Sequence, residues 1–280
     1  MKCRLAKKSD LLVLKELWYE CFLEHDSKAS IDYYFDNAFV LDTTFVLEVD
    51  NEIVTSLQLN QHDIVYNNKI ESVSFVVGVA TFNKHRKKGY MKVLLNYVIE
   101  YARKNYQQNY MILQAYDWNI YRPFNFKEAY YKKSVELSIA DLSGINLIEL
   151  IDYSSLSMLS IYQKYTENLN GYKKRDEVYF NEMKKMLEID EMKIALSNEA
   201  YLYYQVEDNT LMISECAYNS WESVLQIIKT LNEKMQFEKV NVMVDTNNNL
   251  EGRKELFMMI RELNDKKFKI DEKLYISEFI

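Results

Sequence analysis

Proline and glycine are scarce: the 280-residue chain has one Pro and five Gly. That excludes collagen-like, Pro-rich and Gly-linker architectures, and gives each of these residues positional meaning. Cysteine is sparse too. Cys3, Cys21 and Cys216 are far apart, with no Cys-x-x-Cys pair and no nearby histidine cluster, since His25, His62 and His85 are also scattered. A structural zinc site and a disulfide scaffold are both excluded on that spacing, and no metal is expected. An odd, sparse set of thiols fits a reducing, cytoplasmic compartment. Long apolar runs are missing as well. Leu11–Leu17 is interrupted by Lys15 and Glu16, so it reads neither as a signal segment nor as a membrane span. An excess of positive charge is also lacking: 35 Lys and Arg stand against 42 Asp and Glu, a net charge of −7. Nucleic acid is therefore not an expected partner, because phosphate binding needs a basic face. A cationic partner such as an amine is compatible with that balance.

What is present is apolar and aromatic. Hydrophobic residues make up 48% and tyrosine alone accounts for 23 positions. Cores can form, and any one tyrosine needs more than its presence to be called functional. The first half reads as strand 1–6, a helix from Ser9 or Asp10 to Phe22, and a second helix over Ile31–Phe39. A meander follows: Thr44–Val49, Ile53–Asn60, Ile64–Tyr66 and Ile70–Thr81. A helix from about Gly89 to Lys104 and a strand over Tyr110–Ala115 complete it.

The informative junction is Val77-Gly78-Val79-Ala80-Thr81-Phe82-Asn83-Lys84-His85-Arg86-Lys87-Lys88-Gly89-Tyr90-Met91-Lys92. A strand feeds a basic loop that opens a helix. The first N–H groups of a helix have no intrahelical partners, and the helix dipole makes that end positive. A pyrophosphate suits such a place. Arg86, Lys87 and Lys88 add formal charge, and Gly89 allows close approach to the backbone. A lysine run alone would be an ordinary solvated helix start. Its position between an apolar strand and an amphipathic helix, with Val93, Leu94, Tyr97, Val98 and Tyr101 on one face, favours the phosphate reading.

Arg86-Lys87-Lys88-Gly89-Tyr90-Met91 resembles the Arg/Gln-x-x-Gly-x-Gly/Ala loop of the GNAT acetyltransferases, with Met91 departing at the last position. That ending is similar to the enhanced intracellular survival (Eis) subgroup, where Pro is usual at the place of Asn83. The resemblance implies acetyl-CoA as cosubstrate. It implies that the backbone of Val79, Ala80 and Thr81 meets the pantetheine arm, and that Arg86, Lys87, Lys88, Gly89, Tyr90, Met91 and Lys92 wrap the pyrophosphate. A second match is Ile120-Tyr121-Arg122-Pro123-Phe124-Asn125-Phe126, similar to the Eis pattern Ile-Tyr-x-x-Phe-Gly-Tyr/Phe. There the tyrosine is the general acid towards the coenzyme A thiolate, so Tyr121 takes that role by resemblance. A phenol suits it, with a pKa near 10, not far above a thiol. Asn125 replaces the Gly and is the next most tolerant residue for a left-handed backbone. The general base has no spacing argument: Glu24, His62, Asp63, Glu71 and a water chain all stay open. In Eis proteins the C-terminal carboxylate of a further sterol-carrier-like domain has this role. The chain stops at Ile280, before such a domain is expected.

Residues 141–155 read as a linker. Beyond it come helices over Leu156–Leu169 and Arg175–Leu187, then strands over Met192–Ser197, Tyr201–Val206 and Leu211–Ala217. A helix over Trp221–Met235, a strand over Lys239–Val244, a helix over Glu251–Leu263 and a β-rich end over Phe268–Ile280 follow. This repeats the order of the first half, but Tyr218-Asn219-Ser220-Trp221 has no basic loop and no glycine. Asn170–Asp176 and Tyr201–Tyr204 resemble the second domain of Eis proteins. The expected fold is α+β, a tandem GNAT-like pair with mixed central sheets flanked by helices. Residues 1–140 form the acetyl-CoA-binding catalytic domain and 156–280 a degenerate copy without a cofactor loop. The expected activity is N-acetyl transfer to a primary amine that is aminoglycoside-like, a polyamine, or a lysine or peptide amine. A homo-oligomer is implied by resemblance. A non-catalytic acyl-CoA-binding module is the alternative reading; a transferase using aminoacyl-tRNA conflicts with the acidic charge.

Overall fold

With glycine so scarce, asparagine and aspartate take over the tight turns. Asp50-Asn51, Asn67-Asn68 and Asp208-Asn209 all lie at positive φ, between 45° and 64°. Such pairs close two-residue hairpins whose twist matches the flanking strands. The computed structural model describes residues 1–277. The first half comprises β1 (Lys2–Leu5), α1 (Leu11–Phe22), α2 (Lys28–Asn37), β2 (Thr44–Val49), β3 (Glu52–Tyr66), β4 (Lys69–Thr81), α3 (Tyr90–Asn105) and β5 (Tyr110–Leu113). Then come β6 (Lys127–Ser138), α4 (Ser155–Thr166), β7 (Tyr172–Lys173), α5 (Glu177–Ile189) and β8 (Lys193–Leu196). The chain continues through β9 (Ala200–Glu207), β10 (Thr210–Tyr218), α6 (Trp221–Met235), β11 (Lys239–Asp245) and β12 (Arg253–Glu262).

The strands form one mixed sheet in the order β1-β2-β3-β4-β5-β12-β6-β11-β10-β9-β8, with β7 beside β3. Helices cover both faces. Under α3, Leu94, Leu95, Val98, Ile99 and Ala102 pack on Leu57, Leu59, Val76 and Leu113. On the other face Trp18 and Ile31, from α1 and α2, meet Phe75, Val77 and Ile112. The α3 face is rotated from the sequence expectation: Val93 and Tyr97 are exposed at 41% and 38%.

Several expectations need correction. Residues 251–263 are not a helix. Leu256, Met259, Ile260 and Leu263 have helical spacing, but β12 is a central strand, and a strand buried on both faces shows no alternation. β6 went unread because Lys132 and Lys133 interrupt it. In the fold Lys132 is buried against Ser277 and the Phe257 ring, and Lys133 donates to the Asn248 and Leu250 carbonyls. Ile53–Asn60 and Ile64–Tyr66 are one strand, β3. Residues 264–277 form no strand, only a bridge from Leu274 to Asn170; residues 278–280 lie outside the described residues. The division at 141–155 does not separate two sheets. β12 lies between β5 and β6, and β6 pairs with β11.

Candidate active site

β4 and β5 run parallel and pair only through Ser74–Met111, Phe75–Ile112 and Val76–Leu113. Beyond Leu113 β5 ends, while β4 continues to Thr81. A gap therefore opens beside Val77–Thr81, where the backbone of β4 has lost its neighbour. The strand is bent there: between the Ser56–Ala80 and Gln58–Val77 pairs, β4 carries one residue more than β3. This bulge holds Gly78 at φ +58°, and a Cβ at Gly78 would stand 2.1 Å from the Trp18 ring. The glycine is required by backbone and packing together. Thr55 Oγ1 donates to the Ala80 carbonyl at 2.6 Å, and Thr81 Oγ1 to Thr55 Oγ1 at 2.8 Å, fixing the strand end from the β3 side.

The loop after β4 is pinned on its outer side. Asn83 N–H donates to the Glu20 carboxylate, a bond that proline could not make. Lys84 pairs with Glu52, whose second oxygen lies 3.3 Å from His85. These basic residues are thus engaged away from the helix start. Arg86 is exposed and folds back along the loop: its Nε donates to the Thr81 carbonyl at 3.2 Å, and Nη2 lies 3.6 Å from Cys21 Sγ. Lys87 and Gly89 have φ of +63° and +79°, and Lys87, Lys88, Gly89 and Lys92 are exposed. Gly89 is the N-cap of α3, so no side chain caps it, and nothing stands within 4 Å of where its Cβ would be. The first N–H groups of α3 therefore face open space, the arrangement an anion needs.

The Tyr121 segment is held by its own hydrogen bonds. Asp117 accepts from Asn119 N–H at 3.0 Å, Arg122 Nη1 donates to Asn119 at 2.5 Å, and Arg122 pairs with Glu128. Asn125 takes φ +59°, as its replacement of glycine requires. Tyr121 is buried with Phe124 and Phe126, and Val79, Tyr90 and Met91 pack against the same cluster. The fold thus gathers the strand end, the helix start and Tyr121, three segments separate in sequence. Burial pushes the Tyr121 phenol up to about 12.

Of the base candidates, Glu71 lies ten residues before Thr81 on β4, roughly 30 Å away at ~3.3 Å per residue. It binds Asn109 at 2.7 Å and Lys266 at 2.5 Å and holds the loop after β12. Burial and the nearby Lys173 ammonium push His62 down to about 3, so it is neutral. The Asp63 backbone accepts from Lys174 N–H at 2.8 Å, next to β7. Glu24 is exposed in the α1–α2 connection. Sequence reasoning passed over Asp26 in the same connection. Its carboxyl is raised by burial and by Asp190 of α5's C-terminal end. Beside it His25 stacks on Tyr116, three residues past β5, at 4.6 Å.

The second half repeats the gap. β10 and β11 pair in parallel up to Ile213–Val242, and β10 bulges between Ile213 and Glu215. Here the similarity stops. Ser220 caps α6 and accepts from Ser223 N–H at 3.3 Å, so the helix start is occupied by its own side chain. Beyond the bulge Glu215 receives a bidentate Arg175 at 2.5 and 2.9 Å, and Arg175 also donates to the Ser277 carbonyl at 2.5 Å.

A strand that loses its parallel neighbour at a bulge, followed by an Arg-x-x-Gly loop and an uncapped helix, occurs within residues 2–129. The same residues match the family model for an acetyltransferase (GNAT) domain. This stretch is a GNAT acyltransferase domain. No curated protein matches the chain in sequence. The fold is shared with solved structures along nearly its whole length. A probable N-acyltransferase from Enterococcus faecalis superposes with a TM-score of 0.78 at 11% identity, over 94% of this chain and 72% of that one. A GCN5-related N-acetyltransferase from Kribbella flavida gives 0.76 at 15% identity, over 93% and 70%. Eis1 from Mycobacterium abscessus gives 0.73 at 12% identity, over 94% and 74%. At such identities the likeness is one of fold. It extends through the mixed sheet of both halves of this chain. Among the described residues no helix is long and apolar enough to cross a membrane.

Proposed function

We propose that this GNAT protein is an N-acetyltransferase that moves an acetyl group from acetyl-CoA to a primary amine by direct attack. The observation that supports the reading is the gap beside Val77–Thr81, followed in the chain by an uncapped α3 start, with Tyr121 buried in the apolar cluster that Val79, Tyr90 and Met91 join. The gap-side backbone of Val79, Ala80 and Thr81 would take the pantetheine amides. The loop and helix start, Arg86–Lys92, would take the pyrophosphate. For this Arg86 has to leave the Thr81 carbonyl, exchanging one hydrogen bond for a charge-assisted one.

In the reaction the amine nitrogen forms a bond to the thioester carbonyl carbon, and the C–S bond breaks. The amine gives up a proton and the departing sulfur gains one. Tyr121 is protonated at any working pH, because burial holds it at about 12. It serves as a hydrogen-bond donor and proton source to the thiolate and is reprotonated from solvent. The same burial disfavours a free thiolate, which narrows the difference between the two acidities. The amine approaches from the α1–α2 side, where Asp26 and Asp190 favour a cation and can receive its proton through water.

The second half is read as a degenerate copy that closes the amine side and holds no cofactor of its own. The support is its repeated bulge, its self-capped α6 and its lack of a basic loop. A thiol-release assay with acetyl-CoA over polyamines, amino sugars and lysine peptides tests the whole reading. Amine-dependent release is expected from the native protein, and release that ignores every amine would refute it.

A further inference from the structure

Beneath α2 the sheet is polar where a core would be apolar. Ser56, Gln58 and Asn60 alternate along β3 and so share one face. Leu57 and Leu59 between them point into the core under α3. Ser56 and Gln58 are each only 1% exposed. They stand opposite the two sides of the β4 bulge, through the Ser56–Ala80 and Gln58–Val77 pairs. Tyr34 of α2 donates to Gln58 Oε1 at 2.5 Å and accepts from Asn60 Nδ2 at 3.1 Å. That leaves Ser56 Oγ, Gln58 Nε2 and Asn60 Oδ1 buried without a partner.

Each such atom costs roughly 1–3 kcal/mol of desolvation. Three lie in one row, across β4 from the gap, where buried polar groups are normally paired. α2 itself buries only Ile31 completely, so its hold on the row runs largely through the Tyr34 hydroxyl and the Trp18–Tyr34 stack at 4.7 Å. The surface under α2 is thus built for hydrogen bonds that α2 does not supply.

We propose that Ser56, Gln58 and Asn60 determine acceptor specificity, binding a hydroxyl group carried next to the amine that is acylated. The row offers both donors and acceptors and is uncharged, which a hydroxyl satisfies through one atom and a hydrocarbon cannot. The acceptor reaches the row as Tyr34 is displaced and its two hydrogen bonds pass to the ligand. The inference rests on the acetyltransferase reading and names the acceptor class of that site.

The test compares D-glucosamine with cyclohexylamine, in the native protein and in Gln58→Met and Ser56→Ala. The native protein should favour glucosamine in kcat/KM. Gln58→Met should lower that ratio about tenfold, the loss of one hydrogen bond to a buried partner. Its urea midpoint should change little, since the unpartnered Gln58 Nε2 and the acceptor of the Tyr34 hydroxyl go together. An unchanged ratio with a lowered midpoint would make the row merely structural and overturn the proposal. A native preference for lysine amide over glucosamine would overturn the hydroxyl in favour of a peptide group. If no amine is turned over, the transferase reading fails, and calorimetric binding of glucosamine decides the inference separately. Binding weakened by Gln58→Met would support it, and no binding to the native protein would end it.

Discussion

Tyr121 and Arg86 act at the level of single atoms, and each has its own kinetic signature. Tyr121→Phe keeps the ring in its cluster and removes only the proton donor. Turnover should fall by roughly 10²–10⁴ with acetyl-CoA affinity unchanged. Unaltered turnover at saturating substrate would remove the role. Arg86→Ala should instead raise the KM for acetyl-CoA, read from initial rates at saturating amine. The phenols also set the alkaline limit of the fold. Burial holds Tyr34 and Tyr121 at about 12, against about 10 in an unfolded chain. A raised folded-state pKa favours the protonated form, so this stability is complete below pH 10 and is lost as pH rises towards 12. Circular dichroism and the 295 nm tyrosinate absorbance should therefore change together in that window.

At the scale of elements, the bulge in β4 is the part that no neighbouring residue can replace. Gly78→Ala would force an alanine into φ +58° and into the Trp18 ring. The strain alone is about 1 kcal/mol or more, and the displaced indole belongs to the α1 face of the core. A lowered urea midpoint and a loss of transfer activity are expected together. Retention of both would show that the bulge tolerates a side chain. Much of this element was legible. The Arg-x-x-Gly loop after an apolar strand pointed to the site, and Asn125 to its left-handed turn. The role of Gly78 was not legible, because a glycine in a strand says nothing about an indole folded over it from residue 18.

For the whole molecule, the sheet is the unit of stability. β12 lies between β5 and β6, so residues 1–140 alone would leave the β5 and β6 edges unpaired. Such a fragment should lack cooperative unfolding, and recover it when residues 141–280 are supplied. A fragment that unfolds cooperatively alone would contradict this. The second half is centred on the fully buried Arg175–Glu215 pair. Arg175→Met should cost about 3–5 kcal/mol by stranding the carboxylate. Arg175→Met with Glu215→Met should recover much of that loss, as measured by urea unfolding.

The sequence by itself determined the local chemistry: Asn and Asp turns in place of glycine, the basic loop of Arg86–Gly89, the tyrosine of residues 120–126. These rest on backbone preference and short-range spacing, which a chain carries in order. Tertiary structure alone decided that Arg253–Glu262 is a strand. Its apolar run has the spacing of a helix, and only pairing with β5 and β6 on its two edges selects the extended form. It also decided the polarity of the row under α2. Ser56 and Gln58 alternate with apolar residues along β3, and each is only 1% exposed once α1 and α2 lie over the sheet.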